Sequence, residues 1–241
     1  YSLQYAAYIS LIPLFISIEK SSNIKTVLLS CLLFSITISA ILCIPLYYAG
    51  IINYGAGILF IAATTTLLVI IPNTILYSIY GILHYILRGR LYYLNLLIPP
   101  SLWILTDYIR EISDFLIPWY FIGYSQVRTP FIQAADITGI YGISFFIVLV
   151  NYMLTMGIID NNYRKLKFFI PLFLLSAAVF TYGIYSENRD YTADPGNRSV
   201  NITGVQGNTG SHERWDRNLS FINYRNYLNL TEKYFQGKEI I

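Results

Sequence analysis

Charge is what this chain has least of. Of its 241 residues only 12% are Asp, Glu, Lys or Arg, while 55% are hydrophobic. Soluble globular domains carry about 25% charged residues, so an ordinary cytosolic domain is excluded, and so is disorder. Cysteine and histidine are as scarce, at two each. Cys31 and Cys43 lie in one apolar segment, about 18 Å apart along a helix, which is too far for a disulfide. They read as buried apolar thiols, and a disulfide-stapled secreted module is excluded. With His84 and His212 they make no metal-ligand spacing, so no metal and no other cofactor is expected. A phosphate-cradling glycine loop is missing too. The chain opens at Tyr1 inside an apolar run with no charged n-region, unlike a signal peptide. The expectation is a chain cut upstream, with one earlier span missing.

The charge that is present is unevenly placed. Residues 1–186 hold 15 of the 29 charged groups and residues 187–241 hold 14. A membrane block, 1–186, followed by a short soluble piece, 187–241, is the simplest organisation. A bilayer core of about 30 Å needs roughly 20 apolar residues as helix. Residues 1–18, 26–47, 55–87, 91–109, 137–159 and 168–186 qualify or nearly so. Between Lys25 and Arg88 there is no ionised residue at all. That run must turn once, at Ala49–Gly50 through Tyr54–Gly55, and Pro72 is expected to kink the long second half. Six spans place Lys20, Lys25, Arg88, Arg90, Arg164, Lys165 and Lys167 on one side, leaving only Arg110 and Arg128 opposite. By the positive-inside rule the basic side is cytoplasmic, so Tyr1 and residues 187–241 lie outside.

The loop Glu111–Phe131 sets Trp119, Tyr120, Phe121 and Tyr124 between Pro118 and Pro130. Aromatic rings favour the headgroup level, so this loop reads as a segment in the outer interface, either a plain aromatic belt or part of a site. On the span before it, Trp103, Asp107 and Arg110 follow i, i+4, i+7 spacing and share one helix face. Charges in a membrane are costly unless paired. Asp107 and Arg110 can satisfy each other, or they can belong to a site that Arg128 and Asp136 join. His84 reads as a polar residue at the cytoplasmic interface, and His212 as solvated in a loop.

The soluble piece carries 7 basic and 7 acidic groups, which offers no surface for nucleic acid. Ser199–Val205 alternates as a strand does, and Gln206-Gly207-Asn208 ends it. Asp216 can cap a helix running to about Gln236, with Phe221, Tyr224, Leu228, Thr231 and Phe235 on one face. Glu239-Ile240-Ile241 looks like the next strand. The fold class is therefore an α-helical polytopic membrane domain of six spans, followed by the start of an α/β domain.

The motifs together resemble a known family. Pro99-Pro100-Ser101-Leu102-Trp103, then Asp107 and Arg110, is similar to the Pro-x-Leu-Trp…Glu-x-x-Arg signature of bacterial apolipoprotein N-acyltransferases. Ile117-Pro118-Trp119 and Gly123-Tyr124-Ser125-Gln126 resemble their Pro-Trp…Gly-Tyr-Ser-Gln loop, and Gly139-Ile140-Tyr141-Gly142-Ile143-Ser144-Phe145 the start of their next span. Val205-Gln206-Gly207-Asn208, with Trp215 after it, is similar to the opening of their nitrilase-like domain. The resemblance implies transfer of an acyl chain from a membrane phospholipid to the amino terminus of a diacylglyceryl apolipoprotein. It implies a Glu–Lys–Cys triad working through a Cys thioester, in the inner membrane and facing out of the cytoplasm. Neither cysteine of this chain suits that role, so the triad is expected after Ile241 and the chain alone is expected to be inactive. Asp107 stands where the family has Glu. Substrate-contact candidates by resemblance are Trp215, Trp119, Tyr124 and Gln126, with Trp215 open to the plainer reading of a packing residue. A membrane acyltransferase or amidase with another acceptor, and a transporter or scaffold without chemistry, are the alternatives. No internal repeat favours the transporter.

Overall fold

The computed structural model describes residues 3–48, 57–89, 94–113, 116, 118–159, 166–189, 204–210, 213–214 and 216–234, without the side chains of residues 3, 46, 166–169, 171, 172 and 234. It divides into two compact units, Tyr1–Ile44 with Ala62–Arg189, and Pro45–Ile61 with Asp190–Ile241. The elements are a 3-10 segment Leu3–Tyr8, then α1 (Ile12–Lys20), α2 (Ile24–Tyr48), α3 (Ile58–Thr65), α4 (Ile71–Leu87) and α5 (Ile98–Ile112). Short 3-10 turns Ile122–Gln126 and Pro130–Ala134 follow, then α6 (Ala135–Ile159), α7 (Leu166–Glu187) and α8 (Ser220–Tyr234). Three helical stretches are long and apolar enough to cross a membrane among the described residues: Ile24–Pro45, Ile58–Leu87 and Pro130–Ile159.

The helices of the first unit bury polar groups and expose apolar ones, as a bilayer solvent requires. On α4, Asn73, Tyr77, Tyr80 and His84 repeat at helical spacing and are all buried. The opposite stripe, Ile71, Ile75 and Ile79, is about half exposed. The core is the cluster Leu14, Phe15, Ile18, Val27, Cys31, Tyr77, Tyr80, Trp103, Val148 and Tyr152, drawn from α1, α2, α4, α5 and α6. Cys31 and Cys43 are free and buried.

Proline and glycine explain where the helices depart from the spans expected. The first span, 1–18, is broken at residues 9–11. Pro13 in the first turn of α1 has no N–H to give the preceding turn, and the helix restarts there. Buried Asn151 answers the break: its Oδ1 accepts from Leu11 N at 2.9 Å and its Nδ2 donates to Ala7 O at 2.8 Å. In the long run 55–87, a π turn Thr66–Ile70 precedes Pro72, with Ile71 N donating to Thr66 O. The wider turn absorbs the hydrogen bond that proline cannot make. The span 91–109 begins as helix only at Ile98, because Pro99 and Pro100 suit a first turn and not an interior; residues 94–97 form turns. Gly139, at φ 63° and ψ −176°, interrupts α6 near its start.

In the second unit, Gly204 and Val205 are irregular where a strand is expected, and no strand occurs among the described residues. Residues 199–203 and 239–241, the other expected strand positions, lie outside the described residues. The tail helix begins at Ser220. Asp216 Oδ1 accepts from Asn218 N at 2.8 Å, so Asp216 closes a turn ahead of the helix and is not its cap. The Tyr227 ring lies against Gly207, and Asn226 Nδ2 donates to Gly207 O at 3.3 Å. Phe221 and Tyr224 on the same helix are more than half exposed.

Candidate functional site

Two polar assemblies and one open cleft in the first unit carry the candidate chemistry. The inner assembly is built on α5. Trp103, Asp107 and Arg110 lie on one face, all 3% exposed or less. Arg110 Nη1 donates to Asp107 Oδ1 at 2.6 Å, and its Nη2 to the Tyr77 hydroxyl at 3.0 Å. The guanidinium also sits 4.5 Å over the Tyr120 ring. Tyr120 donates to Asn73 Oδ1, and Asn73 Nδ2 donates to Ser39 Oγ at 3.2 Å. Burial raises the Tyr120 phenol above its ordinary range, so it remains a donor. Trp103 joins through its rings, 5.6 Å from Tyr77 and 5.4 Å from Tyr80. Its Nε1, with Asp107 Oδ2 and Arg110 Nε, finds no hydrogen-bond partner among the described residues.

Tyr77, Asn73 and Tyr120 are members that sequence reasoning missed. Asn73 was visible as an amide directly after Pro72 in a charge-free run. Arg128 and Asp136 do not enter this network: Arg128 is exposed, and Asp136 Oδ2 accepts from Tyr182 at 2.5 Å. The Asp136 side chain leaves from the first turn of α6, where its partner is on α7.

A second buried assembly gives His84 its partners. It is 1% exposed, and its Nε2 meets Glu19 Oε1 at 2.9 Å. Tyr152 donates to the same oxygen at 3.0 Å. Arg88 donates to Glu19 O at 2.7 Å and Ser21 O at 2.6 Å, closing the end of α1. These contacts pin α1, α4 and α6 together, so His84 is a structural group.

The aromatic loop is held against α6 by backbone contacts. Gly123 N donates to Ser144 Oγ at 3.0 Å. A Cβ on Gly123 would stand 2.9 Å from both Ile140 O and Ser144 Oγ, so only glycine allows this approach. Gln126 is fully buried: its Nε2 donates to Gln4 O at 2.9 Å, and its Oε1 accepts from Thr129 Oγ1 at 3.1 Å. Its amide therefore fastens the loop to the N-terminal segment. Trp119 and Tyr124 face outward, 71% and 46% exposed. They line an open cleft of about 640 Å³ with Glu111, Pro118, Phe121, Gly139, Ile140 and Tyr141. Trp215 and His212 lie outside the described residues.

The motif loop Gly123–Gln126 is thus seated on the Gly139–Ser144 segment. A family model described as the apolipoprotein N-acyltransferase N-terminal domain matches residues 1–153, well over half of the chain. The chain belongs to this family. Its similarity to the apolipoprotein N-acyltransferase of Pasteurella multocida is 24% identity over 237 residues, 98% of this chain and 44% of that protein. The protein of the same name from Geobacter metallireducens is 34% identical over 136 residues, 54% of this chain and 25% of its own length. That of Wigglesworthia glossinidia brevipalpis is 28% identical over 142 residues, 59% and 27% respectively. The chain spans less than half the length of these curated relatives. The apolipoprotein N-acyltransferase match includes the inner polar assembly, the aromatic loop and most of α6. It makes this a member of an acyltransferase family with membrane-length apolar helices.

Proposed function

We propose that this chain is the membrane portion of an enzyme that N-acylates the amino terminus of diacylglyceryl apolipoproteins, with a membrane phospholipid as acyl donor. The observation that carries the reading is the family match over residues 1–153 together with the Gly123–Ser144 seating of the motif loop. The chain crosses the bacterial inner membrane six times, and residues 187–241 open a nitrilase-like domain outside the cytoplasm. The sided distribution of Lys and Arg supports that orientation.

Catalysis falls to a Glu, a Lys and a Cys carried beyond Ile241. The Glu takes the thiol proton, and the thiolate attacks the ester carbonyl of the lipid. The Lys cation stabilises the oxyanion, the lyso-lipid alkoxide leaves with a proton, and a thioester remains. The neutral α-amine of the lipoprotein then attacks the thioester, forming the amide and releasing the thiol. The described chain supplies the surface over which both lipids approach. Trp119 and Tyr124 are its exposed contacts, and Trp215 is a further candidate by its place in the sequence motif. Gln126 is a positioning residue, as its burial indicates.

The test uses the full-length protein in phospholipid vesicles with a diacylglyceryl lipopeptide. Phospholipid-dependent mass gain of one acyl chain on the lipopeptide amine is expected, and Trp215→Ala is expected to reduce it with membrane insertion unchanged. Acylation of a different acceptor only would replace this reading with that of a related acyltransferase. No acyl transfer at all would overturn it.

A further inference from the structure

We infer that Tyr120 is a positioning residue for acyl transfer, anchoring the aromatic loop to the buried Asp107–Arg110 pair and so aiming Trp119. The inference rests on the reading of this loop as the surface that meets the lipid substrates, and it adds the device that holds the loop in place.

Adjacent residues of the loop leave it in different directions. Trp119 is 71% exposed, whereas Tyr120 reaches into the helices. Its hydroxyl donates to Oδ1 of Asn73, which is 2% exposed on α4. That acceptor is itself fixed, because the Asn73 amide donates to Ser39 Oγ on α2 at 3.2 Å. The Tyr120 ring lies under the Arg110 guanidinium at 4.5 Å. Arg110 is held in turn by Asp107 at 2.6 Å and by the Tyr77 hydroxyl at 3.0 Å. One side chain of the loop is therefore gripped at its hydroxyl and at its ring by groups on α4 and α5, with α2 behind them.

Other ties of the loop run elsewhere. Gly123 and Gln126 fasten it to α6 and to the N-terminal segment. Phe121 packs on Tyr124 and Tyr141, at the cleft. Tyr120 supplies the polar hold on α4 and α5, one residue from Trp119.

A buried ion pair is weak evidence for stability, and charge within a membrane unit usually has a use. Here the cation that Asp107 holds in place gives the Tyr120 ring a fixed partner, by cation–π contact. Neither Tyr120 nor Asn73 belongs to the Pro-Trp…Gly-Tyr-Ser-Gln signature, so the anchor is a property of this chain's own residues. Displacing a substrate-positioning group by about 1 Å can cost up to about a hundredfold in rate, which sets the scale of the effect.

The experiment reads Trp119 directly and acyl transfer separately. Full-length protein labelled with fluorotryptophan is placed in mixed micelles of dodecyl maltoside and dioleoyl phosphatidylethanolamine, and its fluorine NMR spectrum is recorded. The Trp119 line, assigned by its loss in Trp119→Phe, is expected to be single in the wild type. Tyr120→Leu removes both grips and is expected to shift and split it. Tyr120→Phe keeps the ring under Arg110 but leaves Asn73 Oδ1 unmet, so a smaller change is expected. With the diacylglyceryl lipopeptide added, Tyr120→Phe is expected to raise the apparent KM for phospholipid about three- to tenfold, with kcat within about twofold. Tyr120→Leu should lose about ten- to a hundredfold in kcat/KM. An unmoved Trp119 line in Tyr120→Leu overturns the anchor. A moved line with unchanged KM and kcat overturns the role in acyl transfer. Where Tyr120→Leu does not insert, Tyr120→Phe decides both points. A moved line in a protein whose wild type transfers no acyl chain would sustain the anchor and defeat the enzymatic reading instead.

Discussion

Arg110→Met is the most searching perturbation of the membrane unit. The guanidinium is fully buried, donates to Asp107 at 2.6 Å and to Tyr77 at 3.0 Å, and covers the Tyr120 ring. Methionine roughly keeps the apolar stem but leaves Asp107 with neither oxygen paired, since Oδ2 already lacks a partner. Breaking a buried ion pair from one side costs about 3–5 kcal/mol. Asp107→Leu alone should cost a similar amount, by stranding the arginine. The pair Asp107→Leu with Arg110→Met removes both charges, so most of the loss should return and the coupling should exceed either single loss of about 3–5 kcal/mol. Unfolding in mixed detergent micelles, followed by tryptophan fluorescence, reads all four corners of the cycle. Two single losses below about 1 kcal/mol would refute the argument that the pair is buried and mutually dependent. A double variant as unstable as either single would refute self-satisfaction and return both residues to a wider network.

Two further outcomes can be checked. Gly123→Ala forces a methyl to within 2.9 Å of the Ile140 carbonyl oxygen, which cannot move freely in a helix, so the loop should lift at a cost of about 1–3 kcal/mol; thermal unfolding should fall and acyl transfer by the full-length enzyme should drop severalfold, and an unchanged pair of values would remove the loop from the site. A periplasmically active reporter fused after Ile241 should be active, and activity of a cytoplasm-dependent reporter at the same point would overturn the six-span orientation.

Where the sequence pattern is long and uninterrupted, it foretells the structure. Residues 26–47 carry no charge and only Pro45, near the end, competes with the helix, and α2 runs Ile24–Tyr48. The i, i+4, i+7 spacing likewise places Trp103, Asp107 and Arg110 on one buried face. What escapes the pattern is set by distant partners. The break at residues 9–11 depends on Asn151, some 140 positions away. Glu19 and His84, 65 positions apart, have no local periodicity to link them. Gln126 looks like a free polar tip of an aromatic loop, yet its partner is the Gln4 carbonyl, 122 positions back. Glu111 was read as the first residue of a loop, whereas it is still in the last turn of α5 and so carries its charge to the cleft. Trp215 falls outside the described residues, and the structure adds nothing to its reading.

The irregular backbone of the membrane unit has a physical logic that bears on function. In hydrocarbon an unsatisfied peptide group costs several kcal/mol, so each interruption needs an answering group. The break before α1 has Asn151, and the 3-10 turn at Gly123 has Ser144. The π turn before Pro72 is flanked by Thr65 and Thr66, whose hydroxyls donate to Ala62 O at 3.1 and 2.7 Å. Two of these four answering groups, Asn151 and Ser144, are buried on α6 and hold the N-terminal segment and the aromatic loop against one helix. Gln126 then ties those two pieces to each other. The motif residues Gly123, Gln126 and Ser144 thus act on conformation, while Trp119, Tyr124 and Glu111 are the groups left facing out. A variant in the first set should disturb every substrate alike. A variant in the second should discriminate among lipids, and that contrast separates a scaffold role from a recognition role in a single panel of mutants.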